Sequence, residues 1–467
     1  MCNIYQKMQL KFQKCTKNLY KKIKTQLFKA TLINKLILLM VFNLSLSSAW
    51  AIDARLTELI EQAMATHPAV QAQQSLVGAA QDNVSGARWQ YFPTPSVSVQ
   101  NARTGATDPA YAGDSRVTVL ALTQPLWTGG RIEAGVDKAQ AYAQGAAAGL
   151  AESQQQLAIR VVQAYGDWLS AYRKRAAYQV GLAQHIRLKD QVARRIQEGQ
   201  AAASDLALAQ GRLASLDADM ALAMTQEEVS LARLSQLLGQ PVAAKSLTGS
   251  LAEPLPNSLS VSELLAQAQS YSPSLARSRS NAQAQLAAIQ EAKSATLPEV
   301  SFRWEQQHGN FNYLGGPTHT RGFVNLSSRL GAGLSNFAAI SEAVQRHAAA
   351  QADTESQLRS LSEQVMTDHA LLVTSQSRRQ ALQTSAELAD QVLASWDRQY
   401  LSGRKSWQDL MNSAREQVQV QAQLADLEGS QLVASWRLAL TTGQLQVPTG
   451  QLQVGTGQPQ VSSAEQK

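Results

Sequence analysis

The chain has 467 residues, a formal net charge of +7, two cysteines, 44% hydrophobic residues and only 6% aromatic ones. That length suits two or three ordinary domains and is ample to bury a core without help from disulfides or metals. A basic chain invites a nucleic-acid reading, but here the positive charge sits at one end.

Residues 1–35 carry nine lysines, the first at Lys7 and the last at Lys35, and no Asp, Glu or Arg precedes Asp53. The apolar run Leu36 to Leu46 comes next, then Ser47-Ser48-Ala49-Trp50-Ala51. A basic stretch, a short apolar stretch and an Ala-x-Ala site spell a secretory signal peptide covering residues 1–51, with Ala49 and Ala51 at the cleavage site. The apolar run is shorter than the roughly 20 residues that a spanning helix needs. A later start at Met8 is open. Removing the nine lysines turns a net +7 into −2, and Cys2 and Cys15 leave with them. The mature chain is then near neutral, Cys-free and exported. That excludes a disulfide scaffold, a Cys-bound zinc, a thiol nucleophile and a lipid-bearing cysteine, and it removes nucleic acid as a partner.

The mature chain is one unit written twice. At an offset of 205, Glu58, Leu59, Gln62, Ala63, Pro68 and Pro93 match Glu263, Leu264, Gln267, Ala268, Pro273 and Pro298. At an offset of 204, Leu157, Val161, Arg175, Gly199, Asp205 and Gly239 match Leu361, Val365, Arg379, Gly403, Asp409 and Gly443. The repeats are expected at 52–245 and 261–443, joined by a linker at 246–260 that holds Pro254 and Pro256.

In the first repeat a short helix comes before two strand-like segments of alternating polarity at 95–104 and 116–126, with Gly105, Asp108, Pro109 and Gly113 between them. No proline occurs between Pro125 and Pro241, and good helix formers fill that window. Val161, Tyr165, Trp168 and Tyr172 step by 4, 3 and 4, as do Leu213, Leu216 and Met220 by 3 and 4 and Leu231, Leu234 and Leu238 by 3 and 4. The pattern predicts helices packed along their length, with Tyr172 in the core beside Trp168. A hairpin is expected over 131–240. Its long outward helix, about 68 residues at 1.5 Å each, spans on the order of 100 Å. It should turn at Gly199, with Ser204 and Asp205 suited to cap the returning helix.

The second repeat supplies strands at 299–308 and 320–330, with Gly315, Gly316 and Pro317 between them. A hairpin comes after them at 335–442, turning at Gly403 before Ser406 and Asp409. Four strands of about ten residues, apolar on alternate positions, suit a membrane β-barrel. Four cannot close one, since single-chain barrels need about eight, so strands in lipid require an oligomer. Residues 444–467, rich in Gln, Gly, Ser and Val, read as a disordered tail.

The order of these elements, their duplication, the Gly-x5-Asp-Leu turn of each hairpin and the Gln-Pro-Leu-Trp-Thr-Gly-Gly run at 124–130 resemble the TolC family of outer-membrane channel proteins over about residues 53–443. The resemblance implies a mainly α protein with a small membrane β part. It implies a homotrimer whose 12-stranded β-barrel, seated in outer-membrane lipid, continues into a periplasmic α-helical barrel. The implied partners are a periplasmic adaptor and an inner-membrane ABC or other transporter. The Phe302-Arg303-Trp304-Glu305 run and Gly331-Ala332-Gly333 are most similar to members serving type I secretion, including export of large adhesins. Drug or metal efflux is the alternative. By the same resemblance the periplasmic tips fall at Gly199, Ser204, Asp205 and Leu206 and at Gly403, Ser406, Asp409 and Leu410, where the adaptor docks. Asp409 and Asn412 fall at the tunnel aperture, where some members carry two acidic residues. Asp205 and Asp409 also read simply as helix caps.

The histidines, His67, His185, His308, His319, His347 and His369, are scattered, with no H-E-x-x-H, and no metal, cofactor or catalytic residue is expected. G-x-S-x-G, P-loop and G-x-G-x-x-G signatures are lacking. Trp89, Tyr91, Phe92, Trp127 and Trp304 lie near or within strands, where an interfacial aromatic girdle belongs. A periplasmic adaptor or coiled-coil protein is the reading of another class. An adaptor would show one hairpin with small β-domains, and a coiled coil would lack the strand pairs.

Overall fold

The computed structural model describes residues 54–103, 113–247, 260–315, 318–328 and 335–445. The expected signal peptide, most of the linker, Gly105, Asp108 and Pro109, Gly316 and Pro317, and Gly331 to Gly333 lie outside the described residues.

The first repeat comprises α1 (Ala54–Thr66), α2 (Pro68–Trp89), β1 (Thr94–Asn101), β2 (Arg116–Trp127), α3 (Arg131–Gln197) and α4 (Ala203–Leu238). The second comprises α5 (Val261–Tyr271), α6 (Pro273–Ser294), β3 (Glu299–His308), β4 (His319–Ser327), α7 (Ser335–Leu401) and α8 (Trp407–Thr442). Helices α3 and α7 each run 67 residues, and α4 and α8 each run 36.

The expected single short helix of each repeat is in fact two. Pro68 and Pro273 cannot continue a preceding helix, because they lack an N–H and clash with the turn before them. Each instead opens a new helix at its first position, where no N–H is needed. His67 Nδ1 accepts from the Ala69 N–H at 3.1 Å and Ser272 Oγ accepts from the Leu275 N–H at 3.3 Å, so a side chain caps each restart. Strand β1 stops at Asn101, short of the expected Thr104, and β4 runs 319–327 where 320–330 was expected. The chain also stays packed two residues beyond the expected end of the second repeat. Gln444 Nε2 donates to Gln267 Oε1 at 2.9 Å, and Leu445 rests on the core.

The four strands form one antiparallel sheet in the order β1-β2-β3-β4. Register assigns the faces. Val97 pairs with Leu120, Leu122 with Trp304, Phe302 with Val324 and Val300 with Leu326, giving one apolar face. Val97, Leu122, Phe302, Val324 and Leu326 on it are exposed. Ser96 pairs with Ala121, Ala121 with Glu305 and Glu305 with Arg321, placing the charged side chains on the opposite face.

The 124–130 run makes the strand-to-helix junction. Pro125 sits beside a β-bulge, a place in a sheet where a residue without an N–H is tolerated. Gly129 and Gly130 adopt φ of +62° and +87°, and a Cβ at Gly129 would lie 2.7 Å from the Leu297 Cβ.

The main core joins α1, α3, α4 and the end of α8. Leu59, Leu157, Tyr165, Trp168, Leu234 and Trp436 are all 5% exposed or less. A smaller counterpart places Leu264 and Ala268 against Val365, Leu372 and Leu438. Val161, Tyr165 and Trp168 lie in the core as the spacing predicts, but Tyr172 does not. It is 40% exposed, stacking on Trp168 at 5.4 Å with the Arg175 guanidinium 5.4 Å from its ring centre. The phenol therefore closes the rim of the core and keeps its outer part in the open, one helical turn beyond the fully covered Trp168.

Candidate functional site

The two hairpin turns have the same backbone. Gly199 and Gly403 take φ of +74° and +73°, the left-handed conformation that lets a helix stop in one residue. Gly199 N–H donates to Ile196 O at 3.0 Å and Gln200 N–H to Arg195 O at 2.8 Å. Gly403 to Tyr400 at 3.0 Å and Arg404 to Gln399 at 2.8 Å repeat the pattern, the paired Schellman bonds.

The returning helices start differently. Ser406 caps α8, its side chain accepting from the Asp409 N–H at 3.1 Å. The residue in that place before α4 is Ala202, which has no side-chain bond, and Ser204 already lies inside the helix. The expected Ser/Asp cap therefore exists in the second repeat only, because the serine of the first falls two positions late. Neither aspartate is a cap. Asp205 and Asp409 both lie in the first helical turn, where a carboxylate is favoured by the exposed N–H groups and the helix dipole.

Trp407 joins the two tips. It is 4% exposed, and its Nε1–H donates to the Asp205 carbonyl at 3.2 Å. Its ring packs on Tyr400 at 5.4 Å, and the Arg195 guanidinium covers Tyr400 at 4.4 Å. Arg187 pairs with Asp397 at 2.8 Å, again between α3 and α7. Leu188, Val192, Ala209, Leu393, Leu410 and Met411 fill the space inside. Leu410 is fully buried there and Leu206 half-buried, so they support the tip from within. Gly199, Ser204, Gly403, Ser406 and Asn412 are exposed, and the Asp409 side chain is 46% exposed with Lys405 Nζ 3.9 Å away. Sequence reasoning missed Arg195, Tyr400 and Trp407; the seven-residue step from Tyr400 to Trp407 across the glycine turn was its one visible signal.

Farther along the hairpins, ion pairs stitch the helices together. Glu428 of α8 is bonded by Arg173 and lies 3.8 Å from Arg379, Arg175 reaches Glu227 at 2.6 Å, and Arg437 holds Asp368. A cavity of about 390 Å³ between α3, α4 and α8 is lined by Lys174, Tyr178, His185, Arg212, Asp219 and Arg415, among others. Burial, first, and the Arg212 charge lower the His185 pKa, while its bond to the Gly181 carbonyl at 2.8 Å works the other way. His67 caps α2, and His308 and His319 bond Thr318 and Tyr313. Among the described residues no group of three His, Cys, Asp or Glu could hold a metal ion. No described helix is long and apolar enough to cross a membrane.

The outer membrane efflux protein family model matches residues 59–240 and 264–444, one segment for each repeat. The chain belongs to that family. Solved structures share the fold of this efflux protein at low identity. The Vibrio cholerae outer membrane protein VceC is 16% identical, with a TM-score of 0.73 over 84% of this chain and 96% of that one. The open-state Neisseria gonorrhoeae channel MtrE is 19% identical, with a TM-score of 0.70 over 83% and 89%. The Campylobacter jejuni channel CmeC is 15% identical, with a TM-score of 0.72 over 84% and 86%. None of the curated proteins matches the chain in sequence. The efflux protein is thus an outer-membrane channel component reaching into the periplasm, a transport protein rather than an enzyme. Its exposed Trp89, Tyr91, Phe92, Leu126 and Trp127 cluster where helix meets sheet, with Trp89 and Phe92 rings 5.0 Å apart, and Trp304 lies mid-strand.

Proposed function

We propose that three copies of this chain close a 12-stranded barrel in the outer membrane, and that the trimer is the exit duct of a tripartite export machine with a periplasmic adaptor and an inner-membrane transporter. The observation that carries the reading is the four-stranded sheet, apolar on one face, whose outer strands β1 and β4 each have a single neighbour among the described residues. In lipid every strand edge must be paired, and pairing β4 of one protomer with β1 of the next satisfies both. The helices support the same reading. Helix α7 leaves Met366, Val373 and Leu388 each 53% exposed, and α4 leaves Leu222 and Val229 at 57% and 53%, surfaces that suit neighbouring protomers.

The adaptor is assigned to the tip residues Gly199, Ser204, Asp205, Gly403, Ser406 and Asp409, with Leu206 and Leu410 holding their shape. Asp409 and Asn412 are assigned to the aperture. The cargo is assigned to type I protein secretion on the similarity of the Phe302-Arg303-Trp304-Glu305 run to members with that role. The test is outer-membrane fractionation of the mature chain, with heat-modifiable trimers on gels and conductance in planar bilayers; a soluble monomer overturns the channel reading. A deletion strain should lose specific secreted proteins. Normal secretion with drug or metal sensitivity instead would assign the duct to an efflux pump.

A further inference from the structure

Strands β3 and β4 bring three charged side chains together on the polar face of the sheet. Glu305 pairs in register with Arg321, and Arg303 stands two residues away on the same face. Glu305 Oε2 accepts from Arg303 Nε at 3.2 Å, and its Oε1 lies 3.8 Å from Arg321 Nη1. Arg321 also reaches Gln307 Oε1 at 3.5 Å. Two guanidiniums therefore share one carboxylate. The Glu305 side chain is 14% exposed, while those of Arg303 and Arg321 are 41% and 44% exposed, so the cations face the open side and the anion lies beneath them. Another charge on this face, Glu299, is paired with Arg131 of α3 at 2.8 Å, at the helical end of the sheet.

A cross-strand pair serving only the sheet needs one arginine. The second leaves the cluster with an excess of one positive charge per protomer, with Ser96, Ala121 and Thr123 in register beside it contributing none. Burying such a group in lipid is costly, so the face carrying it is the lumen and the Val97, Leu122, Phe302 and Val324 face is the lipid side.

We infer that Arg303 and Arg321 form a cationic ring inside the β-barrel that favours passage of negatively charged solutes and cargo over positive ones. The inference rests on the trimeric-channel reading, since three-fold symmetry is what turns one cluster into a ring. Rings of arginine select anions by raising their local concentration at a constriction. The field of such a ring reaches about 10 Å at 0.1 M salt and about 3 Å at 1 M, so its selectivity must fade as salt rises.

The experiment is the reversal potential of the mature trimer in planar bilayers under a KCl gradient. Arg303→Gln with Arg321→Gln leaves Glu305 alone, and its chloride-to-potassium permeability ratio should fall several-fold below that of the native channel at low salt. Glu305→Gln should raise the ratio. Both differences should shrink in 1 M KCl. Arg303→Lys with Arg321→Lys retains the charge and should keep the native reversal potential, with trimer mobility on gels confirming assembly of every variant. One common reversal potential for all these channels, or a lysine variant that shifts as far as the glutamine variant, overturns the ring. A native chain that forms no conducting trimer overturns the channel reading itself, and the ring with it.

Discussion

Gly166 of α3 and Gly429 of α8 bring two long helices, one from each repeat, into backbone contact. A Cβ on Gly429 would lie 2.7 Å from the Gly166 carbonyl oxygen and 2.9 Å from Ser170 Cβ, and one on Gly166 would lie 3.1 Å from the Gly429 carbonyl oxygen and against Val433. In an open helix position Gly→Ala stabilises by about 1 kcal/mol. Here the obstruction is backbone, which cannot rotate away. Gly429→Ala is expected to lower stability by about 1–3 kcal/mol through overpacking. Gly211→Ala on α4, with nothing within 4 Å of its Cβ, should raise it instead. Thermal unfolding of the two variants checks the opposite signs.

The buried pair on α7 and α8 makes a second stability prediction. The Asp368 side chain is 1% exposed and held by Arg437, with Gln364 Nε2 donating at 2.9 Å. Arg437→Ala strands the carboxylate and should cost about 3–5 kcal/mol, whereas replacing both partners with apolar residues of similar size should recover most of the loss. A double-mutant cycle by denaturant unfolding reads the difference; equal losses in the single and double variants would sink the assignment.

The acid limb of stability should carry a His185 component. The folded chain takes the imidazole proton at lower pH than the unfolded chain, because burial and Arg212 disfavour the cation. The unfolded state therefore binds more protons in between, and stability rises with pH there. The contribution is full above about 6.5, the ordinary histidine value, and is lost as pH falls toward the folded one. His185→Gln should flatten that decline; an unchanged slope below about pH 6.5 would place the cause elsewhere.

The fold was legible because its signals are long and local. A duplicated offset, two proline-free windows and paired glycine turns specify helices and hairpins from the chain alone, and period-two alternation marked the strands. The details that failed depend on packing at a distance. The break before Pro68 was visible as a proline, but the helix on its far side resumes with His67 as its cap. Tyr172 continues the heptad spacing, yet its position at the rim of the core depends on where neighbouring helices end. At the tips the duplicated Gly and Asp were readable, whereas the union of Trp407 with the Asp205 carbonyl, 202 residues apart in the chain, was not. The charge cluster of Arg303, Glu305 and Arg321 needed strand register before it could be seen as one group.

At the turns, replacing Gly199 and Gly403 with valine should distort both tips. Nothing crowds a Cβ at either position, so the penalty is conformational, about 1–2 kcal/mol for each residue forced into the left-handed region. Trimers should still assemble, since the main core lies far along the chain from either turn. Export and adaptor cross-linking should fall. Normal export together with normal cross-linking would count against docking at these tips.

Asp409 separates an aperture residue from a carboxylate that only settles a helix end. Its carboxylate is 46% exposed in the first turn of α8, with Lys405 Nζ 3.9 Å away as a partial counterion. Three copies around a symmetry axis would narrow and charge a pore, while neutral Asn412, one turn on, adds no charge to it. Asp409→Ala is therefore expected to leave trimers intact and to raise single-channel conductance in planar bilayers. As a helix-end carboxylate alone it would contribute about 0.3–1 kcal/mol to stability and nothing to conductance. A variant with unchanged conductance and a slightly lower unfolding midpoint would reduce Asp409 to that local role.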